Sequence, residues 1–160
     1  MTVHTVEATP VRVTELGLRY AVIAVHGPAI GVLTVARMLD GDGSGTTARV
    51  LQPREAVPYG AMPVLVADTT AYGSACVESM LRAWDPGMPR PWLVLMADAP
   101  VPPAPAARYR YRALNERFAG ISQVAYLPSL RNADGADAAL EHNDVKTAAA
   151  KLRRHLEGTL

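Results

Sequence analysis

One stretch limits the fold more than any other: Leu18 to Leu39, LRYAVIAVHGPAIGVLTVARML. Its first part, Tyr20 to Val25, is an apolar run rich in β-branched residues, which reads as a buried strand over Arg19 to Val25. The chain then turns through His26-Gly27-Pro28-Ala29-Ile30-Gly31. Beyond it, Val32, Val35, Ala36 and Leu39 recur at helical spacing, which predicts a helix over Gly31 to Leu39. Strand, glycine-bearing turn and helix together are the architecture of a phosphate-binding loop. The alternative is one long span: Tyr20 to Ala36 carries no charge and approaches membrane length. Pro28, set between two glycines, interrupts it, so a strand followed by a helix is the expectation and a membrane span is not.

The rest of the chain repeats the same alternation. PVLVA (Pro63 to Ala67) reads as a second buried strand ending at Asp68-Thr69-Thr70, and a helix follows over Tyr72 to Trp84. WLVLMA (Trp92 to Ala97) is a third strand, ending at Asp98. Pro100 to Pro105 is a stiff connector. A helix is expected over Ala106 to Phe118, then a fourth central strand over Ile121 to Leu127. Arg49 to Leu51 reads as a short strand, and the last helix runs from Ala138 or Asp144 to Glu157. Apolar strands separated by helices imply a mostly parallel sheet of about five strands covered on both faces, a three-layer α/β fold with strand one lying centrally. At 160 residues one domain is expected over 1–160, with an extended lead-in or edge strand over 1–17, a core over 18–130 and an amphipathic helix within 138–158.

Composition removes several function classes. The formal charge is +1, so net charge gives no reason for strong attraction to nucleic acid or an anionic membrane. Cys76 is the only cysteine, which excludes an internal disulfide and a Cys-rich zinc site. Met1 to Pro10 lacks the basic start and apolar core of a signal peptide, and a cytoplasmic location is the expectation. No cofactor and no resident metal are expected. Arginine-rich, lysine-poor usage with abundant Ala, Pro, Val and Gly points to a GC-rich genome of actinobacterial type.

Ligands on parallel sheets sit beyond the carboxyl ends of the strands. Here those ends are His26-Gly27, Asp68-Thr69, Asp98 and Pro128. A working phosphate loop, G-x-x-x-x-G-K-[ST], needs a lysine for the β/γ-phosphates and a hydroxyl for magnesium. With Gly31 as the final glycine, Val32 and Leu33 hold those places, and Thr34 lies one residue on. The candidate binding residues are therefore a degenerate set, Gly27, Gly31, Thr34 and Asp68. Asp68 stands where such folds hold magnesium through water, or serves as the cap of the next helix. Asp40 to Gly45 imitates the start of a calcium loop, but its twelfth position is Leu51 rather than a bidentate glutamate. Arg108, Arg110 and Arg112, interleaved with Tyr109 and Tyr111, form either a nucleic-acid face or a solvated one whose tyrosines cover the core. The four histidines have no ligand-like spacing, and Cys76 sits on an apolar helix face.

WLVLMADAP (Trp92 to Pro100), the turn that begins at His26-Gly27 and leads to Thr34, and Ser79 to Gly87 with Trp84 resemble a family of small actinobacterial P-loop-like proteins found on plasmids and conjugative elements. Through it the chain is distantly similar to partition-type ATPases, in which two subunits meet across nucleotide. The resemblance implies a P-loop NTPase-like fold over about 20–130, a mobile-element setting and a homodimer among the partners. Pro28 and Leu33 depart from the family's loop of consecutive glycines and paired hydroxyls. The expected function is therefore that of a catalytically inactive interaction or accessory protein, not an enzyme. A weak nucleotide switch using Gly31, Thr34 and Asp68 is one alternative. A DNA-binding accessory factor using Arg108, Arg110, Arg112 and Arg153–Arg154 is the other.

Overall fold

The computed structural model describes residues 17–27 and 29–158; most of the expected lead-in over 1–17 lies outside them. Five strands alternate with helices: β1 (Tyr20–Ala24), α1 (Ile30–Leu39), β2 (Ala48–Val50), β3 (Met62–Asp68), α2 (Ala71–Arg82), β4 (Trp92–Met96), α3 (Pro105–Ala113), β5 (Gly120–Val124), α4 (Ala136–Ala139) and α5 (Asn143–Leu156). All strand pairs are parallel, in the order β2-β1-β3-β4-β5. That is a doubly wound order, with β1 and β3 side by side where the winding changes direction. β1 is thus interior, as expected, although β3 holds the middle. The expected fourth central strand is instead an edge strand. It ends at Val124 because Ala125 and Tyr126 leave the ladder for the 3₁₀ turn Pro128–Arg131.

Alternating residues of the strands feed two cores. Tyr20, Val22, Val64, Val66, Val94 and Met96 face α1 and α5. Leu65, Ala67, Leu93 and Leu95 face α2 and α3. Strands buried on both faces require near-continuous apolar sequence, and that is why these runs stand out in the chain. No helix joins β2 to β3. The connection instead lays Leu51, Val57 and Ala61 over Ala21 and Ile23. Among the described residues no helix is long and apolar enough to cross a membrane.

Helix ends differ from expectation where local bonds tighten. α3 stops at Ala113, and a 3₁₀ turn over Asn115–Arg117 follows, which drops Phe118 into the core. α2 ends at Arg82; the Ala83 and Trp84 amides reach back only three residues, to Met80 and Leu81. The final segment is two helices, not one, with Glu141 and His142 turning between α4 and α5. In the arginine–tyrosine run, Tyr111 does cover the core, but Tyr109 is 79% exposed, because adjacent odd positions on a helix do not share a face.

The acidic loop after α1 has a structural role. Asp40 is 2% exposed. Its carboxylate accepts the amides of Gly45 at 2.7 Å, Thr47 at 3.1 Å and Ala48 at 3.3 Å. Arg37 stands 3.5 Å away. The carboxylate thereby folds the 40–48 loop onto the start of β2. Among the described residues no group of three or more His, Cys, Asp or Glu is placed to hold a metal ion.

Two substitutions test this packing. Asp40→Ala strands three amides and should cost about 3 kcal/mol, read as a lower urea midpoint. Gly120→Ala drives a Cβ into the Trp92 ring, which His155 meets edge-on at 5.2 Å. It should cost about 1–3 kcal/mol in the same measurement, with little change in slope.

Candidate functional site

At the carboxyl ends of β1, β3 and β4 the chain opens a cleft of about 280 Å³. Its walls are apolar: Ile30 and Val32 from α1, Val66 from β3, Met96 from β4, and Leu127 and Leu130 beyond β5. His26, Asp68, Asp98, Tyr126 and Arg131 bring polar ends to it. The position is the one that parallel sheets favour for ligands, since the chain reverses beyond the strand ends and leaves a crevice.

Gly27 and Gly31 both line this cleft, but they differ. Gly27 has φ +108°, a conformation that favours glycine. Gly31 is helical, and a Cβ added there would meet Met96 at an ordinary 3.8 Å. The fold therefore requires glycine at the first position and not at the second. Helix α1 begins uncapped: Ala29 supplies no side-chain bond and the first turn holds no acid. The amides of Ile30, Gly31 and Val32 thus have no partner within the helix.

Thr34 does not reach the cleft. It is fully buried, and its hydroxyl donates to the Ile30 carbonyl at 2.6 Å, one turn back in its own helix. A threonine in mid-helix commonly uses its hydroxyl this way. Leu33 is 46% exposed.

Asp68 is present in the cleft, but not as the cap of α2. The cap is Thr70, whose hydroxyl accepts the Gly73 amide at 2.9 Å. The Asp68 carboxylate in turn accepts the Thr70 hydroxyl and, at 3.0 Å, the Thr70 amide. The Asp68 amide donates to His26 Nε2 at 3.3 Å, and Tyr111 donates its hydroxyl to the Asp68 carbonyl at 3.1 Å. Burial and the neighbouring Asp68 charge both push the Tyr111 hydroxyl pKa upward, which keeps it a donor. A His26 that accepts at Nε2 is neutral, so its 3.7 Å approach to Asp68 Oδ2 is not an ion pair in that state. Asp98 follows β4 and accepts the Thr69 hydroxyl at 3.0 Å.

The sequence reading missed Tyr126 and Arg131. The sequence places Tyr126 inside the expected fourth strand and Arg131 at the start of a polar loop, neither in a motif, and only the fold brings them to the other strand ends. The turn carrying Arg131 is held by Ser129, which donates to Asp144 Oδ1 at 2.8 Å; Asp144 also accepts the Val145 amide at 2.9 Å. These bonds, the Ser129 hydroxyl first, hold the Asp144 carboxyl below the usual carboxylate range.

The arginines proposed for nucleic acid are divided. Arg110 is committed to α2, donating to the Ala71 carbonyl at 3.0 Å and Ser74 at 2.9 Å and pairing with Glu78 at 3.1 Å. Arg153 donates to the Met38 carbonyl at 2.7 Å, closing the end of α1. Arg108, Arg112 and Arg154 are exposed. Neither lysine lines the cleft: Lys151 faces grooves beside β5. Cys76 is half-buried in a groove with Tyr72, Met80 and Trp84.

Because Asp144 has a lowered pKa in the folded protein, its contribution is present at neutral pH and fades as the pH falls through that value. Ser129→Ala should move the Asp144 carboxyl back up toward the ordinary range in a carboxyl-carbon NMR titration, with the fold retained.

No known protein family, no curated protein and no solved structure matches the chain.

Proposed function

We propose that the chain is a non-hydrolysing protein with a phosphate-loop-like strand–turn–helix, an interaction or accessory protein that acts through binding rather than turnover. One observation carries this reading: the hydroxyl nearest the magnesium-holding place, Thr34, is turned inward onto Ile30. Val32 stands at the lysine position and neither lysine lines the cleft. Phosphoryl transfer needs cations on the leaving and transferred oxygens, and backbone amides alone do not assemble a magnesium-nucleotide site. The Asp68 carboxylate is already engaged by Thr70, which leaves it a poor water-mediated metal ligand.

A second reading, a weak nucleotide-dependent switch, has one observation in its favour. The uncapped first turn of α1 opens onto the cleft, and amides in that position attract phosphate. The strand order also belongs to sheets that hold a mononucleotide beside β1 and β3, although a shared order does not fix a function.

Calorimetric titration with magnesium-ATP and magnesium-GTP, together with a phosphate-release assay, separates the two. The expected outcome is no turnover and no micromolar binding. Micromolar binding with turnover that Asp68→Ala abolishes would replace the first reading with the second.

A further inference from the structure

Two opposite charges line the cleft without an ionic partner among the described residues. The Arg131 guanidinium makes no hydrogen bond or ion pair with any described residue. Asp98 accepts from Thr69 through Oδ1, and no described group donates to its Oδ2. Both border the same cavity of about 280 Å³, yet they do not pair with each other. Val66, Met96, Leu127 and Leu130 line the same cavity and supply an apolar surface.

Charge of one sign alone is a poor fit here. A simple anion attracted by Arg131 would also meet the carboxylates of Asp68 and Asp98. A simple cation drawn to those carboxylates would meet Arg131. A ligand carrying both signs meets neither penalty, because each of its charges faces a side chain of the opposite sign. Size narrows the choice: the cavity lies at the lower edge of the roughly 300–1,000 Å³ typical of small-molecule sites. That leaves little room for a nucleoside triphosphate and enough for a compact molecule.

We propose that the cleft binds a small zwitterion with an apolar body, for which an apolar α-amino acid is the simplest chemistry. The guanidinium of Arg131 takes the carboxylate, whose two oxygens match its planar fork. Asp98 takes the ammonium, with Asp68 beside it, and the hydrocarbon lies against Val66, Met96 and Leu130. The inference rests on the non-hydrolytic reading in that it assigns the same cleft to binding.

Isothermal titration with L-leucine, L-methionine and L-phenylalanine tests it. The controls are 4-methylpentanoate, which is leucine without its ammonium, and leucinamide, which lacks the carboxylate. At least one amino acid is expected to bind, and loss of either charged group should weaken binding about tenfold or more. Arg131→Gln and Asp98→Asn should each weaken the amino acid about tenfold. Both side chains are exposed. The side-chain amide introduced by Asp98→Asn keeps an oxygen that can accept from Thr69, so unchanged circular dichroism is expected of both variants. The proposal is overturned if none of the three binds at about 10 mM, or if 4-methylpentanoate binds as tightly as leucine. It is equally overturned if Arg131→Gln leaves the affinity unchanged. Nucleotide turnover would remove the non-hydrolytic reading without altering the leucine titration, so the two failures are distinguishable.

Discussion

Every polar group of Asp68 except one carboxylate oxygen is committed to a different part of the fold. Its amide reaches the loop after β1, its carbonyl holds Tyr111 of α3, and its carboxylate takes the amide and hydroxyl of Thr70. Thr70 then caps α2. The end of the middle strand is thus tied to both neighbours in the α2–α3 layer and to the glycine turn that leads into α1. Such a convergence fixes the end of β3 relative to α2, α3 and the turn before α1, because moving any one of them breaks a bond in a partly buried network. Glycine at position 73 belongs to the same arrangement: a Cβ there would run into the Asp68 carboxylate.

The layers were legible in the sequence because the signal for them is strong. Strands such as VLVA and WLVLM have both faces covered, and nothing but apolar side chains satisfies two faces at once. The interruptions by Asp-Thr-Thr and Asp-Pro-Gly marked helix limits to within a residue or two. What failed was rank within the sheet. Ile121 to Val124 is as apolar as an interior strand at some positions, but Gln123 is exposed and Ser122 is engaged by His155 at 2.9 Å. An edge strand can carry such residues, and composition alone does not separate that case from a central strand interrupted by one polar pair.

The cleft was legible only in half. Strand-end logic found His26, Gly27, Asp68 and Asp98, because a parallel sheet gathers its carboxyl ends at one place, and the glycine pattern of the loop found Gly31. Thr34 was drawn in by nearness in sequence to the loop, but one turn into the helix its side chain is buried and its hydroxyl bonds to the Ile30 carbonyl. Tyr126 and Arg131 were invisible for the opposite reason. They are about a hundred residues from the loop they face, and only closure of the sheet makes them neighbours.

The pairing of α1 with α5 places the first and last helices of the described chain in one layer. Val35, Met38 and Leu39 from one helix meet Val145, Ala149, Leu152 and Leu156 from the other on the same face of the sheet. Among the described residues no strand pair is a local hairpin, so even β1 must wait for β3 before it gains its second neighbour. Long-range pairing of this kind folds slowly, since the entropy of loop closure is lost before contact is gained. During synthesis the part of α1 that packs on α5 therefore stays uncovered until the segment after residue 143 has left the ribosome, about a hundred residues after α1 itself. That face is where self-association and chaperone capture would compete with folding. That face belongs to the strand–turn–helix that fixes the architecture, so this segment completes its packing only when the last helix arrives.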